Sequence, residues 1–141
     1  MDLQLSGKRA LITGSTAGIG FAIADALARE NANVVITGRT KARVDQAVAK
    51  LKGTGRDGSC EGLAGDLGTE EGVRAVIQRW PDLDILINNV GIFEPKPFEE
   101  IPDKDWLRFF EVNVLSGVRL SRYYLPRMKQ RNWERNRVHL E

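Results

Sequence analysis

Short apolar runs alternate along the chain with longer amphipathic stretches. Residues 9–13, Arg-Ala-Leu-Ile-Thr, read as a buried strand. From Gly18 the apolar positions take helical spacing, with Ile19, Ile23, Ala26 and Leu27 predicted on one face. Residues 33–37 give a second strand, rich in β-branched side chains. Val44, Ala47, Val48 and Leu51 return to helical spacing, and a Gly-rich loop runs from Gly53 to Gly58. Residues 60–64 carry a weaker strand signal. Val73, Val76, Ile77 and Trp80 mark a further helix, closed by Pro81. Residues 84–87 form a fourth strand, apolar on both faces, as in a sheet covered on both sides. Beyond Pro95 and Pro97 a long helix is predicted from near Pro102. Its apolar positions are Trp106, Phe109, Phe110, Val114, Val118, Leu125 and Met128. Pro126 is expected to kink or break it.

The order βαβαβαβα predicts an α/β fold with a parallel sheet and helices on both faces. No repeat, low-complexity segment or interdomain linker interrupts it, and 141 residues suit one domain. Composition adds little. Hydrophobic residues make up 42% and charged residues 28%, as in an ordinary globular protein. A net charge of +2 does not by itself point to nucleic acid. The basic residues after Arg119 read as a solvated helix face, without the interleaved aromatics of a nucleic-acid groove. No run of about 18 apolar residues predicts a membrane span, and the first residues lack signal-peptide character. Cys60 is the single cysteine and reads as a small packing residue. A reduced, cytoplasmic setting is the expectation. His139 has no ligand partners, and no metal site is predicted.

The strongest local signal is Thr13-Gly14-Ser15-Thr16-Ala17-Gly18-Ile19-Gly20. It lies between the first strand and the first helix, where a βα turn can hold a pyrophosphate. Gly14 permits a sharp exit from the strand. Gly18 lets the backbone approach phosphates, and Gly20 lets the helix sit close to the sheet. Ser15 and Thr16 are expected to add hydroxyl donors. The free N–H groups and partial positive charge of the helix start complete the site.

The second strand runs out through Thr37-Gly38-Arg39-Thr40-Lys41. An NAD-preferring site usually places an acid here, on the ribose 2′-hydroxyl. None occurs between Val34 and Lys41. Arg39 can instead stack on adenine and bond a 2′-phosphate, with Lys41 adding charge nearby. NADP(H) is therefore favoured over NAD(H).

Residues 13–20 are similar to the Thr-Gly-x-x-x-Gly-x-Gly signature of short-chain dehydrogenase/reductases. Asn88-Asn89-Val90-Gly91 resembles that family's Asn-Asn-Ala-Gly, with valine in place of alanine. Asp66-Leu67 matches its acidic and apolar pair after the third strand. Val112-Asn113-Val114 looks like the segment holding its catalytic asparagine. The resemblance covers residues 5–132 and is 3-oxoacyl-reductase-like. It implies a Rossmann-like three-layer αβα sandwich, truncated after about four strands, with a cofactor domain over residues 1–133 and an atypical tail over 134–141. It also implies site roles. Asp66 would bond the adenine amino group, supported by the Leu67 backbone. Asn88, Val90 and Gly91 would line the cofactor ribose, and Asn89 would brace the central strands. Asn113 would belong to a catalytic proton relay.

The implied activity is hydride transfer between NADP(H) and a carbonyl or alcohol substrate. The family's serine and its Tyr-x-x-x-Lys pair do not appear, since Tyr123 is followed at the fourth position by Arg127 and Tyr124 by Met128. The chain is therefore expected to be catalytically incomplete. The alternative is a non-catalytic nucleotide-binding or self-associating half-fold, and homo-oligomerisation or self-association is expected. The last residues depart from the family's fifth strand. Codons compatible with Trp133 to Glu141 exist that, read one base later, spell Gly-Asn-Gly-Ile-Val-Phe-Ile-Ser-Ser. A frameshifted or artificially truncated reading is the expectation, and the coding DNA decides it.

Overall fold

The computed structural model describes residues 1–53 and 58–131. The predicted tail and His139 lie outside the described residues. Strands β1 (Arg9–Ile12), β2 (Asn33–Gly38), β3 (Cys60–Ala64) and β4 (Ile85–Ile87) alternate with helices α1 (Gly18–Arg29), α2 (Lys41–Lys52) and α3 (Glu70–Arg79). A short 3₁₀ turn at Phe98–Glu100 leads into α4 (Asp103–Phe110), a π turn (Glu111–Leu115) and α5 (Ser116–Gln130). The strands form one parallel sheet in the order β3-β2-β1-β4.

Period-two alternation sends the strand side chains to two cores. Ala10, Ile12, Val34 and Ile36 meet Ala24 and Ala28 of α1 and Val44, Ala47 and Leu51 of α2. Leu11, Val35 and Leu86 meet Val73 and Val76 of α3 and Leu120, Tyr124 and Met128 of α5. The result is the expected three-layer α/β arrangement. Successive strands step outward from β1 through β2 to β3, whereas β4 joins the opposite side of β1. The order reverses between β1 and β4, which places a crevice beyond their C-terminal ends.

Three details differ from the sequence expectation. In α1 the buried positions are Gly20, Ala24 and Ala28. Ile19 is 69% exposed, Ala26 is exposed, and Ile23 and Leu27 are half-buried. A stripe of small residues brings the helix axis close to the sheet and pushes larger side chains to its flanks. The long helix buries Leu120, Tyr124 and Met128, whereas Trp106, Phe110 and Val114 are exposed. Its π turn inserts extra residues into the helical register, so an apolar stripe spaced for a regular helix rotates away from the core. Finally, α5 continues through Pro126. That proline is exposed, as is Arg122 one turn earlier, where water can serve the carbonyl that loses its donor.

Candidate cofactor-binding site

The turn after β1 is fixed by hydroxyls facing inward. Thr13 is 1% exposed. Its Oγ1 accepts from the N–H groups of Asn89 (2.8 Å) and Val90 (2.9 Å). The turn after β1 is thereby bound to the turn after β4. Asn89 adds Nδ2 to the Gly14 carbonyl at 3.1 Å, the bracing role the resemblance implied. Gly14 and Gly18 have φ of +60° and +58°, a region few other residues enter. A Cβ on Gly18 would meet nothing within 4 Å, so the space above it is open. A Cβ on Gly20 would lie 2.3 Å from the Gly14 carbonyl oxygen. Gly20 therefore serves the approach of helix to turn.

Ser15 does not act as expected. It is fully buried, donates its hydroxyl to the Ile12 carbonyl at 2.6 Å and accepts from the Thr37 N–H at 3.0 Å. Its own N–H goes to the Thr37 carbonyl. The short side chain folds back onto β1 and β2, so it offers a cofactor no donor. Thr16 is half-buried and does line the cleft.

The first turn of α1 has no side-chain cap and no acid. By contrast α2 and α3 are capped by Thr40 and Thr69. The opening N–H groups of α1 are thus left for another acceptor. This end of α1 adjoins a cleft of about 950 Å³ between the C-terminal ends of the strands. Gly14, Arg39, Asp66, Leu67, Val90 and Gly91, all named from the sequence, line it. Arg39 stands exposed at the end of β2. Lys41 does not line the cleft, and its ammonium pairs with Asp45 one turn along α2. Arg43 occupies the cleft wall instead. Neither Arg39 nor Arg43 makes an ion pair among the described residues. The far wall is α4 and the π turn, through Arg108, Glu111 and Val112; sequence reasoning named Val112 only as a neighbour of Asn113 and did not single out the other two.

Asn113 sits in the π turn and spends its amide on one residue. Its Oδ1 accepts from the Ile92 N–H at 2.7 Å, and its Nδ2 donates to the Ile92 carbonyl at 3.1 Å. Asn88 also turns away from the cleft. Its Nδ2 donates to Ser121 Oγ at 3.2 Å, and its buried Oδ1 has no partner among the described residues. Asp66 lies exposed at the cleft, with one carboxylate oxygen accepting from the Gly68 N–H at 2.9 Å. Two ion pairs hold the segment after Ile92 on α4, Glu94 with Arg108 and Lys96 with Asp105. The hydrogen bond from Arg108 holds the Glu94 carboxyl below its ordinary pKa, and that from Lys96 does the same for Asp105.

A profile of the family described as short chain dehydrogenase matches residues 8–135. The chain belongs to the short-chain dehydrogenase family. It is 53% identical over 128 residues to the uncharacterized oxidoreductase YvaG of Bacillus subtilis (strain 168), covering 91% of the chain and 48% of that protein. It is 36% identical over 137 residues to the D-beta-hydroxybutyrate dehydrogenase of Cupriavidus necator, covering 94% of the chain and 52% of that enzyme. L-Sorbose reductase from Gluconobacter frateurii, solved in complex with NADPH and L-sorbose, is similar at a TM-score of 0.85 and 37% identity. That match covers 93% of the chain and 51% of the reductase. The chain thus spans about half the length of the relatives it matches. These relatives make it part of an oxidoreductase family, and the cleft described above lies in the part they share.

The signals for some missed residues were present. Lys41 and Asp45 are four apart, the spacing of the helical ion pair they form. Arg43 lies in the first turn of α2, where a cation opposes the helix dipole and gains from a bound anion. Arg108 and Glu111 had no such signal, because their place depends on how α4 and the π turn pack.

Among the described residues no helix is long and apolar enough to cross a membrane. No group of His, Cys, Asp or Glu there could hold a metal ion.

Proposed function

We propose that this chain binds NADP(H) and provides the cofactor half of a hydride transfer between NADP(H) and a carbonyl or alcohol substrate. The observation that carries it is the uncapped start of α1 beside a cleft whose rim holds two arginines without acidic partners among the described residues. The pyrophosphate would lie on the N–H groups of Gly18, Ile19 and Gly20. Arg39, joined by Arg43, would hold the 2′-phosphate. Asp66 would accept from the adenine amino group, with the Leu67 backbone beside it. Val90 and Gly91 would line the ribose, and Asn88 could reach it only through its main chain. Nicotinamide supplies the hydride when the cofactor is bound. Asn113 has committed its amide to Ile92, so a relay role would pass through its main chain. The cofactor-binding unit would occupy residues 1–133, with 134–141 as an appended tail. Two solved relatives support the choice of cofactor: the L-sorbose reductase complex with NADPH, and a 3-oxoacyl reductase with NADP bound at a TM-score of 0.85 and 31% identity.

Neither tyrosine present fits the family's proton donor. Tyr124 is buried and donates to the Trp80 carbonyl at 2.7 Å, and Arg127, at the fourth position after Tyr123, donates to the Pro81 carbonyl. The chain by itself is expected to bind cofactor without turnover. Titration calorimetry with NADPH and NADH tests the binding. Affinity for NADPH at least about tenfold the higher is expected, and equal or tighter binding of NADH overturns the assignment. NADPH oxidation with any carbonyl in a substrate panel would overturn the claim of inactivity.

Self-association is a further reading with its own observation. Trp106, Leu107, Phe110 and Val114 form an exposed apolar stripe along α4 and the π turn, 54%, 71%, 55% and 41% exposed. Sedimentation at several concentrations tests it. A monomer throughout that range would exclude it.

A further inference from the structure

The turn that carries Asp66 is held from outside by the long helix. Within the turn, Gly68 donates its N–H to Asp66 Oδ1, and Thr69 returns its N–H and hydroxyl to the Asp66 carbonyl. The Gly68 carbonyl instead accepts from Arg119 Nη1 at 3.2 Å, across 51 positions of sequence. Arg119 is anchored by its second amino group to Glu111 Oε1 at 3.1 Å, and its side chain is only 20% exposed. Glu111 and Val112 both face the cleft from the π turn. Val112 presses so closely that a Cβ on Gly68 would lie 2.8 Å from its Cγ2. The next residue, Asn113, holds Ile92. The π turn thus sets the positions of two cleft loops, one through Arg119 and Val112 and the other through Asn113.

We infer that Arg119, clamped by Glu111, is a positioning residue for the adenine end of the cofactor: it fixes the Gly68 carbonyl and through Gly68 orients the Asp66 carboxylate. A guanidinium suits the task because its rigid fork serves two acceptors at once. An ammonium in its place reaches one. This inference rests on the cofactor reading above, since it presumes that Asp66 meets adenine.

The test measures affinity of the full chain and of Arg119→Ala and Arg119→Lys for 2′,5′-ADP, reduced nicotinamide mononucleotide and NADPH. Hydrogen exchange at Gly68 and Thr69 is followed in the ligand-free proteins. For Arg119→Ala we expect affinity for 2′,5′-ADP and NADPH to fall about tenfold, as for loss of a charged hydrogen bond. Affinity for the nicotinamide fragment stays unchanged, and Gly68 and Thr69 exchange faster while the β1 amides do not. Arg119→Lys recovers part of the loss. A general loss of structure would weaken both fragments alike and speed β1 exchange as well, which overturns the assignment. So does an Arg119→Ala protein with wild-type affinity for 2′,5′-ADP and unchanged exchange at Gly68. If the unmutated chain binds none of the three ligands, the cofactor reading falls, and the exchange at Gly68 and Thr69 alone decides whether Arg119 positions the turn.

Discussion

Asn113 and Ile92 are joined by two hydrogen bonds in opposite directions, one into Oδ1 at 2.7 Å and one from Nδ2 at 3.1 Å. An irregular chain segment is thereby held against a π turn. Asn113→Ala removes both bonds and leaves the half-buried main chain of Ile92 without partners. A loss of about 1–3 kcal/mol is expected. Asn113→Asp keeps the acceptor but sets an oxygen against the Ile92 carbonyl, and should cost at least as much. Urea denaturation of the three proteins checks this, and an alanine variant as stable as the parent would refute it.

The glycines of the first turn separate stability from affinity. At Gly20 a Cβ would stand 2.3 Å from the Gly14 carbonyl oxygen and 2.6 Å from Asn89 Nδ2. Gly20→Ala should therefore destabilise the fold by about 1–3 kcal/mol, as overpacking does. At Gly18 the space is open, so Gly18→Ala meets no neighbour but must hold a φ of +58°. Its cost in stability should be about 1–2 kcal/mol, and its main effect should fall on NADPH affinity. Paired denaturation and titration experiments distinguish the two, and the same profile for both variants would contradict this division.

The layers of the fold were legible because runs such as Val34-Val35-Ile36 and Ile85-Leu86-Ile87 cannot be solvated on either face. The turn after β1 was legible for a related reason: Gly14 and Gly18 hold positive φ, and at Gly20 a Cβ would meet the Gly14 carbonyl. The face of α1 was not, because a hydrophobicity pattern ranks Ile19 above Gly20, whereas close packing prefers the residue with no side chain. The direction of the Ser15 hydroxyl was hidden as well. Either an inward or an outward rotamer satisfies the motif, and the buried Ile12 carbonyl, which also accepts from Thr37 Oγ1, and the Thr37 N–H draw it inward. The π turn left no mark on the apolar pattern, so the stripe through Phe110 and Val114 gave no warning that the core face shifts to Leu120 and Tyr124.

Charge at the cleft rim divides between residues close in sequence. Arg39 and Arg43 line the cleft, whereas Lys41 pairs with Asp45. Arg39→Ala should weaken NADPH about tenfold to a hundredfold, with NADH little changed, as when a bidentate phosphate contact is lost. Arg43→Ala should produce a smaller loss in the same direction. Lys41→Ala should leave both affinities within about twofold, since an exposed ion pair contributes little. Calorimetric titration of each variant with both cofactors provides the check. A Lys41 effect larger than that of Arg39 would be incompatible with this arrangement.

Cys60 is buried at the start of β3, and desolvation raises its thiol pKa from 9.0 to about 11. Raised in the folded state, this group favours the native fold below its ordinary value, and that contribution is lost as pH rises through the folded value. Iodoacetamide at pH 8 should therefore modify native protein far more slowly than protein in urea. Equal rates, followed by mass spectrometry, would show the thiol to be accessible.

The segment following Ile92 depends on acids held ionised. The Arg108 hydrogen bond lowers the Glu94 pKa, and the Lys96 hydrogen bond lowers that of Asp105. Groups depressed in the folded state stabilise it above their unfolded values, and the contribution is lost as pH falls through the folded ones. Both ion pairs should thus be intact at neutral pH and should fail below the ordinary carboxylate range of about 4. Limited proteolysis between residues 92 and 98 by an acid-active protease should accelerate over that interval while cleavage within β1 does not. Glu94→Gln removes one titrating group and should flatten the change, because a neutral amide has no proton to gain. If its acid profile matched that of the parent, Glu94 would not be the group that fastens this segment to α4.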